Sequence, residues 1–384
     1  MQRLLRALLT LIVVMGSQGV WSSSALIPSP PELGADSYIL MDARSGRVLV
    51  EHDSQKRVAP ASLTKMMTAY IADREMAEGR LSMDEEVHVS VKAWQTGGSR
   101  MFIQEGTTVT VGELMRGIII QSGNDASVAL AEHISGSEKS FAEMMDQQAS
   151  QLGMENTQFT NATGLPDPDM YTTAEDMALL AIAKIQDFPD TYNLYSQRYY
   201  TYNGIRQPNR NRLLWRDKSV DGLKTGHTDD AGYCLAASAK RDGMRLVSVV
   251  MGAASSEARA RETQQLLNYG FRYYDTSRLY EGGEKITETR VWKGETDQLD
   301  LGLSEDIYLT YPSGSRDNLE STVEVDKVLE APIERGAVLG KLSLSLEGET
   351  MAERDLVALH GIEPGGFFSR LWDAIKLFFM NLFG

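Results

Sequence analysis

Ser62-Leu63-Thr64-Lys65-Met66-Met67-Thr68-Ala69-Tyr70-Ile71 opens a helix, and its reading decides how the rest of the chain is read. Pro60 stands just before it and Gly79 follows Glu78, the usual marks of a helix start and stop. Leu63, Met66, Met67, Tyr70 and Ile71 recur at period 3.6, so one face is apolar and belongs in a core. On such a helix residues i and i+3 share a face. The hydroxyl of Ser62 and the amine of Lys65 are therefore neighbours, a weak nucleophile beside a potential base. A lysine serves as a base only where burial and other cations lower its pKa. Alone, a Ser-x-x-Lys match is common and proves little.

Working outward, residues 38–49 read as a hairpin around Ser45-Gly46, and helices fit 112–121, 125–134, 137–152, 173–185 and 257–269. Residues 233–239 and 245–251 have the apolar texture of strands. Ser122-Gly123-Asn124 ends the apolar run 114–120, at the kind of loop from which a serine projects. Ser122 could relay a proton there and Asn124 could hold a substrate backbone. Lys224-Thr225-Gly226, preceded by Asp221-Gly222-Leu223 and followed by His227, reads as a strand edge. Such an edge can pair with an extended peptide, the glycine leaving room for it. Lys224 would also attract a carboxylate and help keep Lys65 neutral.

Past residue 288 the texture changes to short β-type runs (289–292, 307–311, 322–328, 342–346) separated by turn residues. The expected layout is a signal peptide over 1–25, a mixed α+β domain over 26–280 and a small all-β domain over 281–365. An amphipathic helix over 366–384 completes it. Gly336 to Lys341 is not a phosphate loop, because it has three residues between its glycines and Leu342 after the lysine; it is expected to be a turn. In the tail Phe368, Leu371, Trp372, Ile375, Phe379 and Leu382 fall on one face, with Ser369, Asp373 and Lys376 opposite. Gly365-Gly366 reads as a flexible entry. A helix of this kind lies in a membrane interface and is a poor span.

The hydrophobic fraction of 42% suffices for buried cores, and the net charge of −15 argues against nucleic acid as a partner. Arg3 and Arg6, the apolar run 8–15 and Ser23-Ser24-Ala25 have the form of a secretory signal peptide cleaved after Ala25. Cys234 is the only cysteine and sits in an apolar run, the setting of a buried small hydrophobe. The five histidines are scattered without paired spacing, so no metal site and no cofactor is expected.

Ser62, Ser122 and Lys224, in that order and in helix, loop and strand contexts, resemble the penicillin-recognising serine acyl-transferases. The run from Tyr202-Asn203-Gly204-Ile205-Arg206-Gln207-Pro208-Asn209-Arg210-Asn211 to Leu214-Trp215 is similar to the low-molecular-mass penicillin-binding proteins of the D-alanyl-D-alanine carboxypeptidase family. So are residues 220–228 and Leu266-Leu267-Asn268-Tyr269-Gly270-Phe271. The resemblance implies a catalytic domain of helices around an antiparallel sheet. In it Ser62 is the nucleophile, Lys65 its base, Ser122 and Asn124 the middle motif, and Lys224, Thr225 and Gly226 the third. It places a backbone N–H of His227 in the oxyanion hole, a carboxylate-binding arginine at Arg259, with Arg261 two residues away, and a basic residue at Arg210. Thr163 before Gly164-Leu165 departs from relatives that carry histidine there.

The implied partners are peptidoglycan stem peptides, β-lactams and, through residues 367–384, the outer face of the cytoplasmic membrane on the periplasmic side. A β-lactamase would need a Glu-x-x-Leu-Asn loop and a different serine hydrolase a Gly-x-Ser-x-Gly motif, and neither occurs. A transpeptidase of the same superfamily, or an inactive wall-binding scaffold, remains as an alternative.

Overall fold

The computed structural model describes residues 27–326 and 328–383, so the signal-peptide reading of 1–25 lies outside the described residues. Strands β1 (Ser37–Asp42) and β2 (Val48–His52) make the expected hairpin. Asp42 fixes its turn by accepting the N–H groups of Arg44 and Ser45. The segment carrying Ser62 begins as a tight turn, Ala61–Thr64, and continues as helix α1 (Lys65–Ala77). Sequence periodicity suggested one apolar stripe, but every residue of α1 from Lys65 to Asp73 is buried. The helix is enclosed on all sides, and two of its buried polar side chains meet partners inside. Thr68 donates to Ala162 O at 2.7 Å, and Asp73 pairs with Lys184.

The helix expected over 112–121 is in fact two pieces. Val111–Arg116 is α-helical, and Gly117–Gln121 widens into a π-turn that ends on Ser122 in the left-handed conformation (φ 60°). Met101 packs where Gly117 would carry a Cβ, 2.3 Å from its sulfur. Wide turns of this kind are most often found at functional sites. Helices α2 (Asn124–Ser135), α3 (Glu138–Gln151) and α4 (Ala174–Asp187) follow.

Strands β3 (Val220–Thr228), β4 (Gly232–Arg241) and β5 (Met244–Ala253) join the first hairpin in an antiparallel sheet of order β2-β1-β5-β4-β3. Helix α5 (Ser256–Tyr273) then covers one face. Side chains alternate across a strand. Ile39 and Met41 thus enter the core shared with α1, α2 and α4, and Leu40 enters the core shared with Leu266 and Leu267 of α5. β3 is left at the sheet's edge.

The second unit is all β: β6 (Tyr274–Tyr280), β7 (Lys285–Trp292), β8 (Gln298–Gly302), β9 (Ile307–Pro312), β10 (Leu319–Val325), β11 (Leu329–Glu330), β12 (Val338–Leu346) and β13 (Glu349–Ala358). Six form one sheet of order β10-β12-β13-β8-β7-β11, and β6 pairs with β9. Of the run 336–341, only Gly336 and Ala337 are turn, since β12 starts at Val338 and takes in Lys341. Thr276 donates to Asp42 at 2.8 Å and Arg47 donates to Thr310 O at 2.6 Å, tying this unit to the first hairpin.

Helix α6 (Phe367–Phe383) ends the chain, and no described helix is long and apolar enough to cross a membrane. Gly365 is not a loose joint, because its N–H donates to Lys293 O at 2.8 Å and a Cβ there would lie 2.5 Å from Gly294 O. Close packing, not flexibility, is what this glycine supplies. The carboxylate of Asp373 accepts the Lys293 N–H at 2.9 Å, and Leu377 is buried. The side carrying Asp373 and Leu377 therefore faces the protein, while Phe367, Phe368, Leu371, Trp372, Ile375 and Phe378 are exposed.

Candidate active site

The three motifs meet in one cleft of about 780 Å³. Ser62, Ser122, Thr225 and Gly226 line it, as do His227, Arg210 and Arg259. Lys65, Asn124 and Lys224 stand behind that wall, buried. Lys65 Nζ lies 3.1 Å from Ser62 Oγ and donates to the Thr163 carbonyl at 2.5 Å. Complete burial pushes this amine down to about 7, with help from the Arg210 charge and against the pull of Asp125. Across the cleft, Lys224 Nζ donates to Ser122 Oγ at 2.8 Å and to its neighbour Thr225 O at 3.0 Å. Burial first, then Lys65, Arg210 and Arg259, hold it well below the ordinary lysine value. Each serine is thus matched to a lysine that the fold discourages from carrying charge.

Two glycines make the approach of the strand to Ser62 possible. A Cβ on Gly226 would sit 3.1 Å from Ala61 Cβ and 3.2 Å from Ser62 N. A Cβ on Gly164, at φ +76°, would sit 1.7 Å from Ala61 O. β3 therefore lies flush against the start of the Ser62 turn, bringing the backbone N of Ser62 next to Gly226 and hence to the neighbourhood of His227. That is a site for paired N–H donors to a developing oxyanion.

The choice between the two arginines is geometric. Arg259 is 7% exposed, lines the cleft and donates to Gly226 O at 2.8 Å and Cys234 O at 3.3 Å. Burial lowers its pKa to about 10. Arg261 points outward and pairs with Glu262 at 3.7 Å. Asn124 spends its amide nitrogen on Gly97 O at 2.7 Å, and its Oδ1 is buried without a partner, an acceptor waiting for an N–H. Cys234 is buried, its thiol pushed up to about 11 by burial, and it contributes packing.

Sequence reasoning missed two contributors. The Thr163 carbonyl anchors Lys65, whereas the sequence drew attention only to its side chain. Asp125 accepts the consecutive N–H groups of Met101, Phe102 and Ile103 at 2.8, 2.8 and 3.2 Å, clamping the loop that carries Gly98 and Ser99 to the cleft wall. The signal was its place directly after Ser122-Gly123-Asn124.

Residues 24–255 match the family model described as D-alanyl-D-alanine carboxypeptidase, and residues 274–364 match the penicillin-binding protein 5 C-terminal domain. The D-alanyl-D-alanine carboxypeptidase DacA of Escherichia coli (strain K12) is 42% identical over 367 residues, covering 94% of this chain and 91% of that one. DacF of Bacillus subtilis (strain 168), a D-alanyl-D-alanine carboxypeptidase by name, is 38% identical over 343 residues, 88% of each chain. The crystal structure of penicillin binding protein 5 from Haemophilus influenzae superimposes with a TM-score of 0.85 at 41% identity, covering 88% of this chain and 99% of that one. On sequence, fold and the meeting of the three motifs, the chain belongs to the D-alanyl-D-alanine carboxypeptidase family.

Proposed function

We propose that this enzyme removes the terminal D-alanine from peptidoglycan stem pentapeptides through an acyl-enzyme on Ser62. The observation that carries the reading is Lys65, fully buried, 3.1 Å from Ser62 Oγ and, among the described residues, paired with a hydroxyl and a carbonyl and in no salt bridge. In its neutral form Nζ accepts the Ser62 proton as Oγ attacks the carbonyl between the two D-alanines. The oxyanion is held by the N–H groups of Ser62 and His227. Ser122, hydrogen-bonded to Lys224, passes a proton to the departing amine, and Arg259 with Thr225 binds the carboxylate of that leaving D-alanine. Arg210 adds positive potential, and Asn124 positions the peptide backbone. The bond broken is the D-Ala-D-Ala amide and the bond formed is a Ser62 ester. Water then attacks that ester, restoring the hydroxyl and releasing the shortened peptide. β-Lactams present the same carbonyl to Ser62 and halt at the ester.

The setting is the periplasmic face of the bacterial inner membrane, with α6 laid in the interface. Its outward row of aromatic and aliphatic side chains supports this, since a soluble protein rarely leaves so contiguous an apolar patch exposed. Deleting residues 367–384 should leave an enzyme that no longer sediments with membranes; continued sedimentation would put the anchor elsewhere.

The reaction is tested by incubating the protein with a D-Ala-D-Ala pentapeptide and counting free D-alanine together with any cross-linked product. Intact mass after benzylpenicillin should show one adduct on the Ser62 peptide. Persistence of that adduct in Ser62→Ala would sink the assignment.

A further inference from the structure

Arg210 lines the cleft, and its charge acts on both Lys65 and Lys224. Its guanidinium has no hydrogen-bond or ion-pair partner among the described residues. A cation that nothing grips stands where its backbone puts it, so the segment on either side of Arg210 decides what the charge can reach.

That segment is bracketed. Asn209 and Asn211 flank Arg210, and they are 6% and 1% exposed. Asn209 donates to Tyr195 O at 3.2 Å and to Gln197 O at 3.1 Å, and its Oδ1 accepts the Asn211 N–H at 3.0 Å. Asn211 donates to Gly222 O at 3.0 Å, and its Oδ1 accepts the Leu213 N–H at 3.1 Å. Each amide carries donors and an acceptor on one short planar group, so each joins two stretches of backbone at once. An aspartate would lack the donors and a serine the reach. Gly222 stands two residues before Lys224 on β3, and it is closely packed: a Cβ there would lie 2.6 Å from Tyr192 Oη. The bracket therefore ties the backbone around Arg210 to the strand that carries Lys224.

We propose that Asn209 and Asn211 are positioning residues for the reaction, fixing the backbone around Arg210 so that its free cation bears on Lys65 and Lys224 together. This rests on the carboxypeptidase reading above and adds to it two residues that act through a third.

The test measures benzylpenicillin acylation by intact mass over a pH series, in the full chain and in Asn211→Ala, Arg210→Gln and the double variant. The fraction of chains labelled at saturation counts folded protein, and the rate is taken on that fraction. The other charges around the two lysines stay in place in all four proteins: Arg259 beside Lys224, and Asp125, which pulls the other way at Lys65. Below pH 7, where Lys65 is mostly protonated, Asn211→Ala should acylate about threefold more slowly than wild type, and the deficit should shrink as pH rises. The double variant should be no slower than Arg210→Gln alone, because the bracket acts through that arginine. Should Asn211→Ala leave no labelled fraction, Asn209→Ser is held to the same expectations. A deficit equal at every pH, no deficit, or single losses that multiply in the double variant would leave the asparagines a structural role only, overturning the proposal with the reaction standing. No acylation of wild type at any pH would overturn the reaction and the proposal with it.

Discussion

Two parts of this molecule bury lysine, and they do so in opposite ways. In the helical core, Lys184 of α4 is fully buried against Asp73 of α1 and donates to Thr191 at 3.1 Å. Burial disfavours the charged amine, and the carboxylate of Asp73 in contact with it offsets that cost. In the cleft, Lys65 and Lys224 meet hydroxyls and carbonyls, and the Arg210 cation acts on both, with Asp125 pulling the other way at Lys65. The core lysine has a carboxylate to pair with, whereas the cleft lysines have only hydroxyls and carbonyls as hydrogen-bond partners. Identical side chains thus become a structural pair or reactive groups according to whether the fold supplies a carboxylate.

The comparison breaks most visibly at Lys65. Lys65→Met should slow acylation by benzylpenicillin by about 10²–10⁴-fold, the usual loss of a positioned base. Its melting temperature should hold or rise, since no buried acid is stranded. Normal acylation in that variant would require a different base.

Lys184→Met should do the reverse, leaving acylation by the folded fraction near normal but destabilising the protein by roughly 3–5 kcal/mol through an unpaired Asp73. The double variant Lys184→Met, Asp73→Leu should recover most of that in a denaturant titration. Equal instability in single and double variants would show that the pair is not what Lys184 is there for.

A pH series sharpens the contrast. Acylation should rise with pH through about 7 as Lys65 loses its proton. Its pKa is about 7 in the folded protein and 10.5 as a free side chain, so between those values the unfolded chain binds more protons and stability rises with pH. Below about 7 both states are protonated and the cost is present in full. The stability advantage of Lys65→Met over wild type should therefore be greatest below pH 7 and shrink toward pH 10.5. An advantage independent of pH would assign it to packing.

The smallest effect concerns Arg210, whose charge helps lower the Lys65 pKa. Arg210→Gln should move the acylation profile toward alkaline pH. A profile that does not move would mean that burial acts alone.

Much of this was legible in the sequence because it is local. The i,i+3 pair Ser62 and Lys65, the edge-strand texture around Lys224 and the turn-rich β region each follow from short-range periodicity. The Asp73–Lys184 pair was not, since 111 positions separate its members and nothing nearby marks either as buried. The break of 111–121 into an α and a π segment was also hidden, because it depends on Met101 packing against Gly117 from another loop. Gly365 misled for the opposite reason. A glycine pair reads as slack until a neighbouring backbone is seen to need the space.

A side chain on Gly226 or on Gly164 would press on Ala61, the residue before Ser62. Their consequence is for selection by antibiotics. Escape from an inhibitor that mimics substrate needs a wall that can be reshaped against the drug alone. Here any side chain at either position must push Ala61, and with it the N–H of Ser62, which in the proposed reaction serves drug and peptide alike. Gly226→Ala is the milder case, needing neighbours to yield by a few tenths of an ångström; at Gly164 a Cβ would overlap backbone. Resistant lineages should therefore alter expression or the rim, and leave these two glycines in place.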